Sequence, residues 1–175
     1  MNTPPRPSTP GVILHWMLAM LILSMLAVGF ATLPTTDPRN IGLLAAHMMV
    51  GMMILVLTLL RLVIRVRASR RRSGAGRLVA VSRLMQAGSY ILVLAMTGSG
   101  LAAAVMSGLN QVVFGGVSQP LPASMSRYPA FAVHSALAIA LAALVAAHVA
   151  IIAYEQFVRK SRPLARMSLR RAKPD

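Results

Sequence analysis

Four long apolar runs set the pattern of the chain: residues 11–33, 41–64, 84–106 and 130–153. Three contain no charged residue, and the second is broken only by Arg61 near its end. Each has the ~20 residues or more that an α-helix needs to cross a ~30 Å hydrocarbon core. A cleaved signal peptide is the rival reading of 11–33, but its apolar core would be only about 7–15 residues. The predicted fold is an all-α membrane protein, an antiparallel bundle of four transmembrane helices. Residues 1–10 hold four prolines and read as a disordered arm, 11–158 as the membrane domain, and 159–175 as a basic tail. Between the spans, 34–40 is a turn with two prolines and 107–129 a Gly/Pro/Ser-rich loop.

Charge orients the bundle. Lys and Arg number 18 against 3 acids, for a net charge of +15. In a soluble domain that excess would suggest nucleic acid. Here 16 of the 18 fall on one side of the spans: Arg6, the eight between Arg61 and Arg83, and the seven of the tail. Arg39 and Arg127 alone fall on the other. Basic residues in short loops mark the cytoplasmic side. Both termini are therefore expected to be cytoplasmic in a multi-pass protein of the bacterial inner membrane. The partner of the basic clusters is membrane lipid headgroups, not nucleic acid.

Candidate chemistry sits inside the spans. All four histidines, His15, His47, His134 and His148, lie there. With this topology they sort into two layers, His15 with His148 on the cytoplasmic side and His47 with His134 on the external side. His134 and His148 are 14 residues apart, close to four helical turns, so they leave one face of one helix roughly 20 Å apart. Intramembrane ionisable residues mark functional sites by default, although a lone histidine is often only a buried polar group bonded to a neighbour. A proton relay would need carboxylates, and the spans contain only Glu155, at the cytoplasmic boundary. Zinc or copper would call for three or four ligands per site. Two imidazoles per layer match the axial pair of a six-coordinate haem. The chain has no cysteine, which removes disulfides, iron–sulfur clusters and thioether-linked haem. The cofactors expected are therefore two non-covalent haems b, each with two histidine ligands.

Other residues are weaker candidates. Trp16, Tyr154 and Phe157 read first as an interfacial aromatic belt and second as a stack for a quinone headgroup. Arg61, Arg83, Gln86 and Arg159 are candidate contacts for quinone carbonyls or haem propionates, with lipid headgroups as the alternative for the arginines. Arg39 and Arg127 make the external face weakly cationic. Phe114-Gly115-Gly116 is a candidate re-entrant or surface segment in the external loop, and the 13 methionines read as span packing.

The sequence resembles the bacterial cytochrome b561 family of small four-helix dihaem membrane proteins. The matching pieces are Leu14-His15-Trp16, His47 with Gly51 and then Arg61-Leu62, Tyr90 with Gly98 or Gly100, and the pair His134 and His148. The resemblance implies two b haems bridged across helices and quinone, ubiquinone among them, as electron partner. One branch of the family oxidises superoxide at the external face, and other members exchange electrons with a periplasmic redox protein. An electron-conduit or membrane-anchor subunit is therefore the alternative to an enzyme. Similar members often carry a histidine four residues before the third-span tyrosine; here Gln86 stands in that place.

Overall fold

A computed structural model describes residues 9–32, 41–69, 77–116, 122 and 124–160. Most of the N-terminal arm, the 34–40 turn with Arg39, Arg70 to Arg72 and the tail from residue 161 lie outside the described residues.

The elements are α1 (Thr9–Thr32), α2 (Ile41–Ser69), α3 (Arg77–Met106), a short α4 (Leu109–Phe114), a 3-10 turn (Met125–Arg127) and α5 (Pro129–Ala153). A π-turn, Tyr154–Val158, continues the end of α5. There is no strand among the described residues. The chain forms helices because backbone polar groups in hydrocarbon must be satisfied within their own segment. Four of the helices are long and apolar enough to cross a membrane, over Thr9–Ala31, Ile41–Arg67, Arg83–Met106 and Pro129–Val158. Pro129 opens α5 where its missing N–H costs nothing.

Outward faces are as apolar as inward ones. Ile91 is 66% and Ile139 63% exposed on the protein surface. A water-soluble protein would not carry such continuous apolar surface, whereas lipid tails cover it. Inside, Leu14, Leu18, Leu26, Ile54, Val93 and Leu141 form the buried cluster. Leu141 is midway between His134 and His148, so this apolar layer lies between the two ends of the bundle.

α5 packs along α3, α1 along α2, and α2 along α3. α3 and α5 are antiparallel: Gly88 faces Leu144 and Gly100 faces His134. By contrast, the backbone of α5 comes near that of α1 or α2 at few points.

Two features differ from the sequence expectation. α2 and α3 run on beyond their apolar stretches into the arginine-rich segment, because lipid ends the apolar pattern while the backbone continues its hydrogen bonds. The 107–129 loop also contains α4. Gly108 takes a left-handed conformation (φ 71°) that turns the chain from α3 into it. Leu109 is then buried, which anchors the short helix on the bundle.

Candidate functional site

The bundle brings the four histidines together in two pairs. His15 of α1 meets His148 of α5 with ring centres 6.4 Å apart and planes at 77°. His47 of α2 meets His134 of α5 at 6.3 Å and 79°. Both pairs join α5 to a helix whose backbone it approaches at few points, and they lie at opposite ends of the apolar layer. All four rings are partly buried.

The geometry can be tested against a shared metal. Imidazole nitrogens bind first-row metals such as zinc at about 2.0–2.1 Å, which puts two opposed ring centres roughly 6 Å apart. Both pairs have that separation. Among the described residues, no group of three His, Cys, Asp or Glu side chains forms around either pair. Two further observations fit ligation. His134 Nδ1 lies 2.9 Å from the Met96 carbonyl oxygen. A carbonyl only accepts, so Nδ1 carries the proton and Nε2 presents its lone pair (the arrangement typical of a metal-bound histidine). His47 Nδ1 is buried without a hydrogen-bond partner, a costly state for a polar atom unless something else uses the ring. In ring separation, tautomer and the unpartnered His47 nitrogen, these residues fit a flat macrocycle held by one imidazole on each face.

Several polar groups stand at the same end of the bundle as the His15–His148 pair. Arg61 Nε donates to the Tyr90 hydroxyl at 3.3 Å, while its NH1 is buried with no partner. Gln86 Oε1 is likewise buried and unpartnered. Trp16 is tilted against His15 with ring centres 5.8 Å apart. Arg83 is exposed. Arg159 is engaged by Glu155 at 2.9 Å across one turn. Trp16, Tyr154 and Phe157 are 46%, 56% and 76% exposed near helix ends, as an interfacial belt requires.

Three contributors carry no sequence signal of their own. The Met96 carbonyl is backbone, the Arg61–Tyr90 bond joins different spans, and Ser99 (Oγ 3.4 Å from His134 Nδ1) resembles any helical serine. Gly98 and Gly100 look alike in sequence; only Gly100 faces the His134 ring.

Compared with protein-family models, residues 6–168 match the one described as prokaryotic cytochrome b561. No curated protein matches the chain.

Proposed function

The chain belongs to the prokaryotic cytochrome b561 family, and is thus a multi-pass bacterial membrane protein that binds haem b and takes part in electron transfer; on that premise we propose that it holds two haems, one per histidine pair. The carrying observation is the meeting of the rings two by two at metal-sharing separation. Each haem b, when bound, supplies a one-electron iron couple inside the membrane. His15 and His148 would hold the inner, cytoplasmic-side haem, and His47 and His134 the outer, periplasmic-side one. The apolar layer at Leu141 keeps water from the path between them. The distribution of basic residues supports an inner-membrane location with both termini in the cytoplasm.

Electrons would pass between a periplasmic-side donor and membrane quinone. Ubiquinone is the acceptor we propose, reached near the inner pair, where Arg61, Gln86 and Trp16 supply polar and aromatic contacts; Arg83 and Arg159 stand at the same end. Purified protein should show a reduced-minus-oxidised b-type spectrum and about two haems per chain, as the two histidine pairs require. One haem or fewer sinks the assignment. Superoxide is the donor proposed, since two superoxide ions release the two electrons that reduce one quinone to quinol with two protons. Superoxide-dependent quinol formation by the isolated chain assigns that oxidoreductase chemistry to it. Its absence assigns instead a conduit or anchor for a periplasmic redox protein.

Arg61 yields a separate prediction. A partly buried guanidinium whose buried NH1 has no partner inside a span must meet an acceptor. Hydrogen bonds to charged groups contribute about 1.5–3 kcal/mol, so Arg61→Gln should weaken binding of that acceptor about 10–100-fold. Loss of the inner haem in a haem-retention assay identifies a propionate. Retained haem with a raised KM for quinone identifies the quinone. No change in either removes Arg61 from both roles.

A further inference from the structure

α3 carries none of the four histidines, yet three of its residues close on the His134 ring. The Met96 carbonyl accepts from Nδ1 at 2.9 Å. The Ser99 hydroxyl donates to that same carbonyl at 2.9 Å and stands 3.4 Å from Nδ1. A Cβ added at Gly100 would lie 2.9 Å from Cε1 and 3.0 Å from Nδ1 of the ring. That contact cannot be relieved at the end of a flexible side chain, because imidazole is rigid; the ring would have to turn or the helices part. His47 is held otherwise. Its Nδ1 has no partner, and a Cβ at its glycine neighbour, Gly29, would make an ordinary contact at 3.8 Å.

We infer that α3 is the positioning element of the outer haem site, acting through His134. Gly100 leaves the slot that the ring occupies. The Met96 carbonyl fixes the tautomer that exposes Nε2 and raises that nitrogen's basicity, as outer partners of ligating histidines do. Ser99 shares the carbonyl and so adjusts the strength of the Nδ1 bond. The outer haem's potential is therefore set from a helix that contributes no ligand. The inference rests on assigning His47 and His134 to one haem.

Two glycines on one helix make the test. Gly98→Ala and Gly100→Ala add the same methyl group to α3, and alanine favours a helix over glycine at both. A Cβ at Gly98 meets nothing within 4 Å. In the haem-loaded full chain, Gly98→Ala should keep both haems. Gly100→Ala should weaken retention of the outer haem roughly 10–100-fold, the usual effect of disturbing a ligand's outer partners. Ser99→Ala should keep both haems and shift the midpoint potential and low-spin electron paramagnetic resonance signal of the outer one alone. Equal haem content in the two glycine variants, or loss of both haems in Gly100→Ala, overturns the inference. So does a Ser99→Ala shift seen in both haems or in neither. The underlying ligand assignment is read separately: it fails if His47→Ala and His134→Ala remove different haems.

Discussion

His134→Ala should remove one haem and leave the other, and His47→Ala should remove the same one. His15→Ala and His148→Ala should each remove the second haem instead. Disturbing an outer partner of a ligand costs 10–100-fold in affinity, and deleting the ligand costs more, so the loss should exceed about 100-fold and be complete on purification. Folding should survive. Alanine is the best helix former, and each ring is only partly buried. Far-ultraviolet circular dichroism should therefore remain helical while the haem-to-chain ratio falls by half. The two residual haems can be told apart by redox titration. The outcome that would sink the pairing is loss of one and the same haem in His134→Ala and His148→Ala.

Much of this was legible in the sequence, for a physical reason. Hydrocarbon imposes a minimum length on an apolar helix, so the four runs announce four spans; the α5 boundary, Pro129–Ala153, falls within a residue of the apolar run, whereas α2 and α3 extend five to seven residues past theirs. Alternation of direction then fixes the depth of each histidine. That depth alone groups His15 with His148 and His47 with His134, the pairs whose rings the fold brings to 6.4 and 6.3 Å. The remainder depends on rotation about helix axes and on backbone atoms, which apolar patterning does not encode. A helix apolar on every side does not show which way it faces. Hence Gly98 and Gly100 were equivalent before their surroundings were known, and Arg61 was a membrane-boundary arginine before it was seen to bond Tyr90. The Met96 carbonyl could not be singled out at all, since every residue has one. α4 was missed because six residues, Leu109–Phe114, are too few for periodicity to stand out in a glycine-rich loop.

Leu141→Pro should cost both haems at once, unlike any single histidine variant. Leu141 is 4% exposed and stands seven residues from each α5 histidine, within the buried cluster. Proline there removes one backbone hydrogen bond and clashes with the carbonyl four residues earlier, at a cost of about 3 kcal/mol or more. The larger consequence is geometric. Sharp kinks above about 20° are a recognised result of proline within a helix. His134 and His148 lie roughly 10 Å to either side of the bend, so turning one half of α5 against the other displaces one ring relative to the other by about 3–4 Å at that kink angle, shared between the two ends. Neither pair can then keep its metal-sharing separation. Leu141→Ala separates this effect from simple loss of packing. It should lower stability by about 2–5 kcal/mol through the cavity it leaves, visible as a lower Tm, while the helix stays straight and both haems remain. Retention of two haems by Leu141→Pro would show that the halves of α5 position their histidines independently. Loss of both haems by Leu141→Ala would show that packing, and not the line of the helix, holds the two sites in register.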